Sequence, residues 1–204
     1  CSEWTGVPLS VACYRSPTMR RWLRRVVAET GVRRFVGFSA AMTQYADEMP
    51  GDARRVLDMV DVDSDKWRQY AERRWGPRSL IYRLEAERLS AWECAAARSH
   101  DAIMLVSDAE AELFRGRLAD SRGRVVAVSN GVDCHYFDPE RVHDRPYAEG
   151  TQTLVFTGAM DYWPNVDAVT WFADAILPRI RRQHPNVVFF VVGARPAPAV
   201  RALD

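Results

Sequence analysis

Apolar positions along the chain switch between helical and strand spacing, with turn formers separating the segments. Ser16-Pro17 has the form of an N-cap followed by proline at the first helical position, Trp22, Leu23, Val26 and Val27 make one apolar face, and Gly31 is a stop. Phe35 to Phe38 predicts a short strand, Met42, Tyr45 and Ala46 a brief helical turn, and Pro50-Gly51 a loop. Arg55 to Val60 reads as a strand running into the acidic segment Asp61 to Asp65. Neither Gly nor Pro interrupts Ser79 to Arg98, where Ile81, Leu84, Leu89, Trp92 and Ala96 fall near one helical face. Ala102 to Val106 is a continuous apolar run, hence a buried strand, and Ser107 to Glu110 has the S-x-x-E form of a capping box. Val125 to Val128 is a further strand, ending at Ser129-Asn130-Gly131.

Cys134 to Gly150, with Pro139 and Pro146, carries no period and reads as a linker. A new unit follows. Leu154 to Thr157 is a strand ending at Gly158, and Pro164 opens a helix with Val166, Val169, Phe172, Ala173 and Ile176 on one face and Pro178 near its end. Val187 to Val192 is a second buried strand, ending at Gly193. The alternation predicts an α/β protein with parallel sheets in both halves: residues 1–138, a linker over 139–150, and a β-α-β unit over 151–204. The chain begins without Met and ends as it enters a helix, so a fragment of a longer enzyme is expected.

Composition narrows the partners. With 28 basic and 27 acidic residues the 204-residue chain carries +1, which leaves no overall electrostatic footprint for nucleic acid or an anionic membrane. No apolar run approaches the roughly 20 residues of a membrane span. Cys1, Cys13, Cys94 and Cys134 have neither C-x-x-C nor zinc spacing and read as thiols of a reducing compartment. Lys66 is the sole lysine among many arginines.

In open parallel sheets ligands sit beyond the carboxyl ends of the strands. Those ends hold Asp61 and Asp63, Ser107, Asn130-Gly131, Gly158 and Gly193, and two such rims facing each other across a linker would make an interdomain cleft. Asp61, Asp63 and Asp65 would point to one side of an extended chain, where one could act as a base or hold sugar hydroxyls; the alternative is an acidic turn capping the next helix. Lys66 either offsets that charge or contacts a donor phosphate. Gly158 and Gly193 either let a phosphate approach the backbone or simply make tight turns. His135 and His143 lie in linker-like sequence, and His100 and His184 near strand starts, the wrong end for chemistry. The arginine doublets Arg20-Arg21, Arg24-Arg25, Arg73-Arg74 and Arg181-Arg182 read as solvated helix faces; a docking surface for anionic lipid is the alternative, which the neutral total disfavours, and Trp67, Trp75 and Trp92 read as packing anchors.

Val128-Ser129-Asn130-Gly131-Val132-Asp133, followed by Phe137 and Pro139, resembles the N-G-V-D and F-x-P segment that closes the first domain of retaining glycosyltransferases of family 4. Asp58 to Trp67 and Thr157 to Phe172 are similar, more narrowly, to the sugar transferases of PEP-CTERM/exosortase exopolysaccharide systems. The resemblance covers nearly the whole chain. It implies a GT-B-like enzyme of two Rossmann-like domains, both incomplete here, with acceptor on the first and nucleotide sugar on the second. It further implies no cofactor or obligatory metal, and a cytoplasmic, bacterial protein with peripheral contact to the inner membrane.

By the same resemblance, Asp61 stands where many members carry a cleft histidine, and with Asp63 is the catalytic candidate. Gly158, Arg195 and Lys66 are the donor-binding candidates, and Ser107, Asn130 and Gly131 those for the cleft and acceptor. The family's glycine-rich loop would precede Cys1 and its E-x7-E motif would follow Asp204, so the 204 residues are expected to be inactive alone. The implied reaction is transfer of a hexose, with retention, from a nucleotide diphosphate sugar to a growing glycan or lipid-linked acceptor. A sugar-nucleotide epimerase or phosphorylase of the same plan, and a non-catalytic sugar-binding module, are the alternatives.

Overall fold

The computed structural model describes residues 6–73, 75–118, 124–141 and 146–203. Cys1, Arg74, His143 and Asp204, which enter the sequence argument, lie outside the described residues. The chain divides into two compact units, Cys1–Val132 and Asp133–Asp204.

The first unit opens with α1 (Leu9–Cys13) and α2 (Pro17–Thr30). α2 starts and stops as its sequence predicts. The Ser16 hydroxyl accepts from the Met19 amide at 3.2 Å, Pro17 takes the first helical position, and Gly31 closes the helix at φ 65°. Strands β1 (Arg34–Phe38), β2 (Arg54–Val60), β3 (Ala102–Leu105) and β4 (Val125–Ala127) form one sheet in that order, each pair parallel. A 3-10 stretch, Ala40–Glu48, follows β1; α3 (Asp63–Glu72) and α4 (Pro77–Ser99) connect β2 to β3, and α5 (Asp108–Arg115) connects β3 to β4. Because the strands run the same way, every loop that leaves a carboxyl end lies along one edge.

Leu57 and Met59 of β2 and Ile103 and Leu105 of β3 meet Phe114 of α5 and Ala96 and Ala97 of α4 in the core. Each large side chain removed from water there contributes about 2–3 kcal/mol. α4 buries a different face from the one its apolar spacing suggests. Ile81 and Leu84 are exposed, while Glu85, Ala86, Leu89, Glu93, Ala96 and Ala97 are buried. The two carboxylates can lie inside because each has donors waiting. Glu85 accepts the Leu9 and Ser10 amides at 2.7 and 2.9 Å and the Ser10 hydroxyl at 2.7 Å. Glu93 accepts from Ser64, as described below.

Trp67 and Trp92 do pack, against Val11, Ala41 and Leu89, and the Trp92 indole donates to the Ala40 carbonyl at 3.0 Å. Trp75 does not: it is 96% exposed.

The second unit holds β5 (Gln152–Thr157) and β6 (Val187–Val192), a parallel pair in register from Gln152↔Val187 to Thr157↔Val192. Between them the helix does not end at Pro178. α6 (Trp163–Trp171) continues through a π turn, Phe172–Ile176, into α7 (Leu177–Gln183). Pro178 has no N–H to donate and its ring crowds the carbonyl of Asp174, and a widened turn accommodates both defects. α8 (Pro198–Arg201) follows β6. β6 is less buried than its apolar run suggests: Phe189 and Val191 pack with Met160, Val169 and Val200, whereas Val188, Phe190 and Val192 are exposed.

Candidate functional site

β2 leaves the first sheet through a distorted backbone. Its pairing with β3 is irregular between Asp58 and Val60, and Val60 has φ 67°. The Asp61 amide donates back to the Met59 carbonyl at 2.9 Å, closing the rare φ-positive form of the γ-turn. This conformation is strained for a β-branched residue, and the Val106 amide helps to hold it by donating to the Val60 carbonyl at 2.7 Å. The non-glycine residues with positive φ among those described are Ser39, Val60 and Arg195, and each stands at or just beyond the carboxyl end of a strand.

The acidic run that follows is not extended. α3 begins at Asp63, so Asp61, Asp63 and Asp65 do not share one side. Val62 is the N-cap and offers no side-chain cap, while Asp63 and Asp65 occupy the first turn, where carboxylates favour the helix dipole. Lys66 Nζ reaches Asp61 Oδ2 at 2.6 Å and Asp63 Oδ1 at 3.3 Å. Burial pulls the Lys66 ammonium down, but the Asp61 hydrogen bond and the charges of Asp63 and Asp61 outweigh it and raise it above the ordinary lysine value. Lys66 therefore offsets the charge of the rim carboxylates.

Asp65 turns inward instead. It accepts from Arg68 at 2.7 Å, Gln69 at 2.8 Å and Arg117 at 2.6 Å. Burial opposes its ionisation, yet the Arg68 and Gln69 hydrogen bonds and the arginine charges keep its carboxyl below the usual range. Beside it the Ser64 hydroxyl accepts from Arg117 at 2.7 Å and donates to Glu93 at 2.5 Å, and the Ser64 amide donates to the same carboxylate at 3.0 Å. Burial pushes Glu93 up to about 7; the Ser64 hydrogen bonds and Arg117 counter it in part, and Asp63 adds to it. Glu93 and Arg117 are absent from the sequence argument. The available signal was a pair of glutamates, Glu85 and Glu93, two turns apart on the face that carries Leu89 and Ala96.

Ser107 caps α5 as its motif predicts, accepting from the Glu110 amide at 3.2 Å. The other half of the capping box is missing. Glu110 turns its carboxylate to the Val62 amide at 2.8 Å and so ties the loop after β3 to the loop after β2. The Val128 amide donates to Leu105 at 2.8 Å and carries the chain to Asn130 and Gly131, both exposed. Among the described residues neither bonds to the Asp61 group. Asp133 accepts the amides of His135 and Tyr136 at 3.0 and 2.9 Å, so the Asp of the N-G-V-D segment organises the next turn. His135 is exposed, and His100 is buried at the start of β3, its Nδ1 2.9 Å from the Ala96 carbonyl.

In the second unit, Gly158 and Gly193 end β5 and β6 in direct apposition. A Cβ on Gly193 would lie 1.7 Å from the Gly158 carbonyl oxygen, and one on Gly158 would lie 2.7 Å from Asn165 Nδ2. Close approach of the two backbones accounts for Gly193, and the Asn165 side chain packed against Gly158 accounts for the other. The Gly158 amide donates to Val192 and the Met160 amide to Ala194, each at 3.0 Å, which locks the two loops together. Arg195 follows on the same edge with φ 53°, its Nε 2.9 Å from Asp161 Oδ2, and both side chains are exposed. The edge thus carries a guanidinium next to the strand end at Gly158.

Residues 151–204 match the family model for glycosyl transferases group 1. The matched segment runs from the start of β5 through α8, and so contains Gly158, Gly193 and Arg195. It supports glycosyl transfer as the general activity, with a nucleotide sugar and an acceptor as the general partners. No curated protein matches the chain. Among the described residues no group of three or more His, Cys, Asp or Glu is placed to hold a metal ion, and no helix is long and apolar enough to cross a membrane.

Proposed function

We propose that the protein moves a hexose from a nucleoside diphosphate sugar to a growing glycan or lipid-linked acceptor, with retention, in bacterial exopolysaccharide synthesis at the cytoplasmic face of the inner membrane. The observation that carries this reading is the family match over 151–204, on the unit whose strand-end loops hold Gly158, Gly193 and Arg195 on one edge. The exopolysaccharide setting, the stereochemistry and the membrane contact rest on the resemblance of Asp58 to Trp67 and Thr157 to Phe172 described above.

Departure of a nucleoside diphosphate builds negative charge, and fixed positive charge at that point lowers the barrier. Arg195 is assigned to it, exchanging Asp161 for phosphate oxygen; Gly158 stands beside it. In the first unit Asp61 and Asp63 are assigned to the sugar hydroxyls or to base work, and Ser107, Asn130 and Gly131 to the acceptor side. Lys66 is assigned to the two carboxylates: with Asp61 at 2.6 Å, a donor phosphate would have to displace a carboxylate to reach it. The reaction needs no resident cofactor or metal on this reading, and the 204 residues alone do not turn over.

The test supplies the full-length protein with labelled nucleotide sugars and a lipid-linked acceptor and follows glycoside and nucleoside diphosphate. Donor-dependent glycoside is the expected product. Donor hydrolysis with an epimerised sugar, or binding without any conversion, would overturn the reading, and transfer by the 204 residues alone would overturn the assignment of inactivity. Arg195→Ala should weaken donor binding about tenfold, the order expected for one charge-assisted phosphate contact.

A further inference from the structure

α4 projects beyond the core at its start. No residue from Pro77 to Leu84 is buried, and burial begins at Glu85. Within these two turns the apolar contact with α3 comes from Tyr82, its ring 5.4 Å from Trp67 and 6.3 Å from Tyr70. The other apolar side chains face water: Leu80 is 60% exposed, Ile81 50% and Leu84 41%, next to Trp75 at 96%. At helical spacing Leu80, Leu84 and Ile81 make a stripe about 100° wide, with Arg83 on one flank and Arg78 on the other.

The corner before the helix is built by Gly76, Pro77 and Ser79. Gly76 has φ 84°, Pro77 fixes the next residue, and Ser79 ties the start of α4 to α3 by donating to the Ala71 carbonyl at 2.8 Å. Trp75 stands just before this corner. The charge is one-sided as well. Residues 73–84 contain Arg73, Arg74, Arg78 and Arg83 and no acidic residue, in a chain whose total charge is +1. Among the described residues, Arg78 and Arg83 have no ion-pair partner.

We propose that this projecting end of α4, with Trp75, is a docking face for the surface of a bilayer containing anionic lipid. An apolar stripe flanked by arginines, with an indole at its tip, places alkyl groups at the acyl boundary and guanidinium groups among phosphodiesters. Charge complementarity selects the occupant: the same arginines would repel a second copy of the chain, and a neutral bilayer has no negative surface potential to attract them. The face gives a location to the membrane contact in the proposed function, and to that extent rests on that reading. Vesicle binding and sugar transfer are separate readouts, so either can fail alone.

The experiment is sedimentation of the protein with vesicles of phosphatidylcholine, with and without phosphatidylglycerol, at low and high salt. Binding to the anionic vesicles, weakened by salt, is expected. Arg78→Glu with Arg83→Glu should abolish it, and Arg78→Gln alone should lower partitioning about fivefold, the factor for one arginine at an anionic surface. Trp75→Ala should weaken it by about tenfold, from lost apolar contact. These residues are exposed, so circular dichroism and melting should be unchanged in each variant. Three results would overturn the proposal: no binding to anionic vesicles, equal binding by the charge-reversed variant, or a dimer in sedimentation velocity that Trp75→Ala dissolves.

Discussion

Asp61, Asp63 and Lys66 differ from Ser64 and Asp65 in everything except sequence position. The first group stands on the rim of the sheet, partly exposed, its two carboxylates sharing one ammonium. The second turns inward on the same helical turn and joins Glu93 and Arg117 in a buried chain of hydrogen bonds. The helix start at Asp63 sorts them, because residues that would alternate in a strand are spread around an axis in a helix. The outer set is partly exposed and, on the proposed function, meets the ligand, while the inner set fixes the turn that carries it. Substitutions inside should cost stability, and those outside should cost activity.

The largest stability effect is expected from Arg117→Ala. It leaves Asp65 short of a charged donor and Ser64 without its second partner, and should cost about 4 kcal/mol in urea unfolding. A loss near zero would merge the two sets. Next comes the pH dependence of Glu93. Its folded value, about 7, lies above the ordinary carboxyl value of 4.5. The folded state then holds a proton that the unfolded chain releases, so stability falls as pH rises from about 4.5 to 7 and levels off above. The drop is at most about 3 kcal/mol. Glu93→Gln should flatten that part of the profile, and melts across the range would show it. Asp65, whose carboxyl is held low, acts oppositely: its contribution is present above the unfolded value and is lost as pH falls through the folded one. Smallest is Lys66→Met, which breaks a partly exposed pair and should change unfolding by less than about 1 kcal/mol.

The legible and illegible parts of this site follow the same division. Ser16, Gly31 and Ser107 act through neighbours one turn away, and their caps could be read from local sequence. The parallel strands were legible for the same reason, as short apolar runs ended by turn formers. Glu85 and Glu93 were not. Their burial depends on donors 76, 75 and 29 residues distant, and a charged residue on a helix is read as a solvent-facing one. That error shifted the buried face of α4 and hid the exposure of Ile81 and Leu84. The γ-turn at Val60 was invisible because it arises from pairing with β3, and Glu110 left its capping box for an amide 48 residues away. Pro178 was read as lying near the helix end, and the π turn that carries the helix past it was not among the local alternatives.

The division of labour around Asp63, and the sugar transfer built on it, is tested most directly by Asp61→Asn in the full-length protein, assayed for glycoside formation, donor affinity and unfolding together. Turnover should fall by about a hundredfold or more while stability shifts by less than about 1 kcal/mol, with donor affinity unchanged if Asp61 does base work and lowered if it holds sugar hydroxyls. Unchanged turnover, or a loss of activity that merely follows a loss of folding, would contradict the account.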